Sequence, residues 1–124
     1  MISPDRKMLL AGPAEAARRL GVSVKALRLY EQRGLVTPKR TRQGWRYFDA
    51  DDLERLSRAL AFKAMGFGLS QIATLLDAGV DAVAVAMAAQ EAHLRAQRAA
   101  TDEALETLRR ARRQLGAAGL RLVA

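Results

Sequence analysis

Residues 1–48 hold eleven Lys/Arg against three acidic side chains, while residues 49–124 hold ten of each sign, so the whole formal charge of +8 belongs to the N-terminal part. A solubilising surface spreads its charge, whereas a concentrated patch is what a polyanion-binding face looks like. A merely solvated basic face is the competing reading, and position decides between the two. Lys25 and Arg28 stand three residues apart, so on a helix both point from one face. Lys39, Arg40, Arg42 and Arg46 gather around Gln43-Gly44, beside Trp45, Tyr47 and Phe48. Cations on a turn beside a helix pair are suited to gripping a phosphate backbone.

Other chemistry is poorly supplied. The chain has no cysteine, which removes disulfides, Cys-ligated zinc, thiol redox sensing and thiolate catalysis together. Its single histidine, His93, has no neighbouring ligand residues and reads as the flank of a helix. No Ser/His, Cys/His or paired-carboxylate set converges, so neither an enzyme nor a cofactor or metal site is expected. The N-terminal stretch MISPDRKMLLAG lacks the long apolar core and cleavage site of a signal peptide. No uninterrupted apolar run approaches the ~18 residues of a spanning helix. The expectation is a cytoplasmic protein without a membrane partner.

The elements that would carry these cations are mostly helical, because much of the apolar content is Ala and only three prolines interrupt the pattern. Gly12-Pro13-Ala14-Glu15 reads as a helix start, and Gly21 as its end. Ser23 reads as the N-cap of a second helix, Val24 to about Gln32, closed by Gly34. Ala17, Val22, Leu27 and Tyr30 can face inward between the two. Two short helices joined by a tight Gly-containing turn form either a helix-turn-helix or an ordinary helical hairpin, and Lys25 with Arg28 favours the first. Pro38 then breaks the helical rhythm, and Gln43-Gly44 joins two short strands into a hairpin wing whose Trp45 and Phe48 are expected to pack against the helices. Asp49 caps a third helix reaching about Met65, with Glu54 and Arg58 as an i, i+4 pair. Ser70 caps a fourth, carrying Ile72, Leu75 and Leu76.

From Asp81 to Leu115 no Pro or Gly appears, which allows one helix of about 35 residues, roughly 50 Å long at 1.5 Å per residue. Alternating steps of four and three pick out Val83, Met87, Gln90, Leu94, Gln97, Thr101, Ala104, Leu108, Ala111 and Leu115, a heptad seam widened by Leu105. A helix this long needs a partner helix to cover its stripe; folding back on its own domain is the alternative. Val83, Met87, Leu94, Thr101, Leu105, Leu108 and Leu115 are therefore the expected dimer interface, softened in the middle by Gln90, Gln97 and Thr101.

Residues 21–35, GVSVKALRLYEQRGL, resemble the MerR family of bacterial transcription regulators, whose members carry a run close to GVS-x-x-x-LR-Y-YE-x-x-GL. The family continues with a wing containing G-Y-R-x-Y, a D-x-x-x-L helix and a GF-x-L-x-x-I stretch. Here these read Gly44-Trp45-Arg46-Tyr47-Phe48, Asp52 to Leu56, and Gly66-Phe67-Gly68-Leu69-Ser70-Gln71-Ile72, in the same order and spacing. Leu29, Trp45 and Phe48 stand where the family often has tyrosines.

The resemblance implies a winged helix-turn-helix domain over residues 8–79, a dimerisation helix over 81–115 forming an antiparallel coiled coil, and a short tail over 116–124. Carried over residue by residue, Ser23, Val24, Lys25, Arg28 and Tyr30 look like major-groove contacts. Arg18 looks like a phosphate contact, and Arg40, Arg42, Trp45 and Arg46 look like the wing grip. The implied partners are a pseudo-palindromic promoter operator in double-stranded DNA, a second copy of the chain and RNA polymerase, with the duplex distorted between half-sites. An architectural or excisionase-like DNA binder, the DNA-binding portion of a longer effector-binding regulator, and a helical protein-interaction module remain alternatives. No effector is legible: the metal-sensing relatives place cysteines after the long helix, and the residues beyond Leu115 are too few for a drug-binding domain.

Overall fold

The computed structural model describes residues 10–123, with only the backbone course for 120–123. The expected domain start at residue 8 and most of the MISPDRKMLLAG segment lie outside the described residues. In chain order the elements are α1 (Pro13–Leu20), α2 (Val24–Gln32), β1 (Lys39–Arg40), β2 (Arg46–Tyr47), α3 (Ala50–Ala64), α4 (Leu69–Leu76) and α5 (Val80–Val123). The chain divides into two compact units, Met1–Val83 and Ala84–Ala124. Among the described residues no helix is long and apolar enough to cross a membrane.

In the first unit the helix ends follow the chemistry of their capping residues. Gly12 is the N-cap of α1, followed by Pro13, and Gly21 closes it at φ +70°. There the Val22 N–H donates to the Ala17 carbonyl at 3.0 Å, satisfying a carbonyl the helix leaves open. Ser23 Oγ then accepts from the Ala26 N–H at 3.0 Å, so α2 starts after only three linking residues. Past α2, Gly34 at φ +76° lets the Leu35 N–H return to the Tyr30 carbonyl at 3.0 Å. Asp49 and Asp52 form a reciprocal capping box at the start of α3, with bonds of 2.9 and 3.0 Å. Ser70 is not the cap of α4: the helix begins at Leu69 after N-cap Gly68, whose N–H is accepted by Gln71 Oε1 at 3.0 Å. Arg58, expected to pair with Glu54, donates instead to the Leu76 carbonyl at 3.2 Å.

Leu27, Leu35, Phe48, Leu56 and Ile72 are the largest fully buried side chains, drawn from α2, its exit, the wing and helices α3 and α4. Burying each such side chain contributes about 1.5–3 kcal/mol. Phe62 and Phe67 meet edge to face, their centroids 5.9 Å apart. Phe48 is also tied by backbone: Ala11 and Phe48 exchange both hydrogen bonds, at 2.9 and 2.7 Å, so residue 11 adds a bridge beside the hairpin. Arg55 braces the unit from α3. Its Nε donates to the Leu35 carbonyl at 2.6 Å, and its two Nη atoms reach the Asp77 carboxylate at 2.8 and 3.2 Å. The exit of α2 and the end of α4 are thereby held by one side chain.

Helix α5, at 44 residues, is about 66 Å long. It extends beyond Leu115, where the sequence pattern placed its end, and runs through Gly116 and Gly119 to Val123. A single interior glycine costs only about 1 kcal/mol relative to Ala, and Ala117, Ala118 and Leu120 around the pair are strong helix formers. Met87, Leu94, Leu105, Leu108 and Leu115 all present exposed apolar surface on this helix in the single chain.

Candidate nucleic-acid interface

The start of α2 is open to solvent. Its N-cap and the Leu27 and Tyr30 packing fix which side of the helix faces out. Ser23, Val24, Lys25, Arg28 and Leu29 are all exposed, with Lys25 and Arg28 one turn apart as their spacing predicted. Ser23 Oγ is already engaged as the cap. Tyr30 departs from the expected contact set. Its ring is only 3% exposed, Lys63 Nζ donates to its hydroxyl at 3.1 Å, and the same ammonium lies 5.4 Å from the ring centroid. Tyr30 therefore orients α2 from behind.

Arg18, also exposed, sits on α1 in a carboxylate clamp. Arg18 Nη2 and Nε reach Glu15 at 2.6 and 2.9 Å, and Arg19 Nε reaches the same carboxylate at 2.9 Å. Hydrogen bonds from Arg18 and then Arg19 hold the Glu15 carboxyl down at about 2, and Glu15 in turn raises Arg18 above its ordinary value.

The wing is a two-stranded antiparallel hairpin in the register Lys39 opposite Tyr47 and Arg40 opposite Arg46. Thr41 closes its turn: its N–H donates to the Trp45 carbonyl at 2.9 Å, its Oγ1 accepts from the Trp45 N–H at 3.1 Å, and its carbonyl accepts from Gly44 at 2.9 Å. Gly44 stands at φ +86°, the left-handed position that a three-residue hairpin loop needs. Phe48 packs as expected, but Trp45 does not: it is 73% exposed at the base of the turn.

The four wing cations divide into two kinds. Lys39 Nζ is bound by Asp49 at 2.8 Å and Asp52 at 2.9 Å, both at the start of α3. Donating to Asp49 and then Asp52 pushes Lys39 above the ordinary lysine range, and Lys39 holds Asp49 below the carboxylate range. Arg46 Nη1 reaches Glu31 of α2 at 3.1 Å, with both side chains largely covered. These two pin the hairpin to α3 and to α2. Arg40 and Arg42 remain on the outside, Arg40 donating to the Gly44 carbonyl at 2.8 Å.

Arg28 of α2 and Arg40 of the wing line one cleft with Glu31, Val36, Pro38 and Arg46. Cations from α2 and from the wing thus line a common space. Sequence reasoning had passed over Glu31. The signal was available: only three acids occur in residues 1–48, and the two within the described residues, Glu15 and Glu31, each bind arginine. Among the described residues no group of three His, Cys, Asp or Glu is placed to hold a metal ion.

Residues 13–79 match the family described as MerR HTH family regulatory protein, and residues 53–118 match the family described as MerR, DNA binding. A probable heavy metal-dependent transcriptional regulator of Haemophilus influenzae is 44% identical over 64 residues, covering 51% of this chain and 50% of that protein. The chain thus spans about half the length of this relative. Among solved structures, MtaN, the N-terminus of the Bacillus subtilis multidrug transporter activator, superposes with a TM-score of 0.74 at 32% identity, covering 80% of this chain and 94% of that one. HiNmlR, a MerR family regulator lacking the sensor domain and bound to promoter DNA, superposes with a TM-score of 0.59 at 26% identity, covering 78% and 79%.

Proposed function

The chain belongs to the MerR family of helix-turn-helix regulatory proteins, and on that footing we propose that it is a transcription regulator that binds a pseudo-palindromic promoter operator as a homodimer and distorts the duplex between the half-sites. One observation carries the reading: the start of α2 and the wing, braced to each other through Arg46 and Glu31, turn Lys25, Arg28, Arg40, Arg42 and Trp45 outward together. Val24, Lys25 and Arg28 address base edges, with Ser23 capping their helix. Arg40, Arg42 and Trp45 hold the backbone, and Arg18 adds a phosphate contact by turning one N–H away from Glu15. Tyr30, Lys39 and Arg46 keep those groups in position. The related structure on promoter DNA supports the same reading.

Bending or untwisting a site costs several kcal/mol, recovered through backbone contacts such as the wing supplies. RNA polymerase then meets a promoter whose elements have been realigned. A cytoplasmic location fits this role. The exposed apolar stripe of α5 is the surface through which a second copy joins, along Val83, Met87, Leu94, Thr101, Leu105, Leu108 and Leu115.

Selection of binders from random DNA, followed by footprinting on a promoter carrying the selected sequence, tests the proposal. Two inverted half-sites with hypersensitive positions between them are expected. Several sites at an attachment locus would indicate an architectural binder instead, and no enriched sequence would overturn specific recognition.

A further inference from the structure

The start of α2 is built without help from its first residue. Ser23 caps the helix, and Val22 and Leu27, half-buried and buried, hold the two positions where an apolar pair staples a helix start. Val24 is 46% exposed. Valine is also a weaker helix former than alanine, so helix formation gives no reason for its presence. A lone exposed valine on an ordinary surface needs no explanation. This one lies beside Lys25 and one turn before Arg28, among the exposed side chains of α2.

Resting on the proposed reading of α2 as the helix that addresses base edges, we propose that Val24 is a specificity-determining residue that covers the C5-methyl group of a thymine. The major-groove edges of the four bases carry hydrogen-bond donors, acceptors and one apolar group, which is that methyl. The Val24 side chain has neither donor nor acceptor. Over any other base edge it would strip water from a polar group and return no hydrogen bond, so those bases are selected against. A phosphate oxygen offers it nothing for the same reason.

Position supports the same assignment. In a helix-turn-helix the base contacts concentrate at the N-terminal residues of the second helix, and Val24 is the first of them. Leu29, 37% exposed, follows more than a turn later. Lys25 and Arg28 carry donors only, so guanine O6 and N7 are their natural partners. Side chains four apart on a helix start about 5–6 Å from each other, and successive bases rise by about 3.4 Å. The thymine therefore belongs within one or two base pairs of the guanine to which Arg28 donates.

Deoxyuridine pairs as thymine does and lacks only the methyl group, which makes the contact directly measurable. The operator is the one obtained with the full chain by selection from random DNA. Each of its thymines is replaced in turn, in both half-sites, and binding is followed by fluorescence anisotropy. At one position the replacement should weaken binding about fifteenfold, roughly fourfold for each methyl group uncovered. Val24→Ala should lose a similar factor on the thymine operator and nothing further on the deoxyuridine one, because both changes remove the same contact. Equal affinity of the two proteins for the deoxyuridine operator also shows that the variant is folded. A selected half-site without thymine, no loss at any thymine, or a loss that persists in Val24→Ala at every position would each overturn the methyl contact while leaving the operator reading standing. A selection that enriches no sequence defeats the operator reading itself, and the methyl contact with it.

Discussion

Exchanging Glu31 and Arg46 decides whether the wing arginine is a brace or a phosphate grip. The pair spans 3.1 Å between α2 and β2, with side chains 24% and 12% exposed for Arg46 and Glu31 respectively. Exposed ion pairs contribute about 0.2–1 kcal/mol, and breaking a fully buried one costs about 3–5 kcal/mol. This intermediate burial places the coupling in a double-mutant cycle at roughly 1–2 kcal/mol, measurable by chemical denaturation of Glu31→Ala, Arg46→Ala and both together. DNA binding gives the sharper readout. Freeing the wing adds ordering cost at about 0.5–1.5 kcal/mol per side chain to be immobilised. Glu31→Gln should then weaken operator binding by about three- to tenfold, although removing a negative charge near DNA would by itself favour binding. The swap Glu31→Arg with Arg46→Glu leaves net charge unchanged and should recover most of the affinity that Arg46→Ala gives up. Fluorescence anisotropy across a salt series supplies both affinity and slope. Tighter binding by Glu31→Gln, with a slope steeper by about one unit, would show that Glu31 had been restraining a phosphate contact and would refute the brace.

The two classes of wing cation should separate in the same assay. Arg42→Ala should flatten the salt slope by about one unit for each phosphate that its guanidinium neutralises, while Lys39→Ala should leave the slope unchanged and lower the denaturation midpoint. Because Glu15 is held down at about 2, its clamp on Arg18 and Arg19 favours the folded state above the ordinary carboxylate range and is lost as pH falls toward 2. An NMR titration placing the Glu15 carboxyl in the ordinary range would remove the clamp. Gly116→Ala meets no atom within 4 Å and should raise stability by up to about 1 kcal/mol, measured by thermal unfolding of the full chain. Leu94→Asp combined with Leu108→Asp should give monomers by sedimentation, and a persistent dimer would show that the seam is elsewhere.

Local chemistry made most of the fold readable. Ser23 and Asp49 cap their helices through side-chain oxygens that accept from an N–H three residues on, so side-chain type alone announces them. Ser70 has the side chain of a cap, but Gln71 reaching back to the Gly68 N–H starts α4 one residue earlier, at Leu69. Residues 116–119 looked like a stop because glycine often closes a helix, but closure needs the chain beyond it to turn away, and alanines give it no reason to.

The candidate interface was legible as a population of cations but not in its division of labour. Lys39 meets Asp52 thirteen positions away, and Arg46 meets Glu31 fifteen away, separations that no helical or strand period connects. Only folding brings these acids beneath the wing. Concentrated positive charge therefore locates the face, while the carboxylates beside the wing separate the cations that brace it from those left outside. By that rule, Lys39 and Arg46 position the wing, and Arg42 with Trp45 reaches outward.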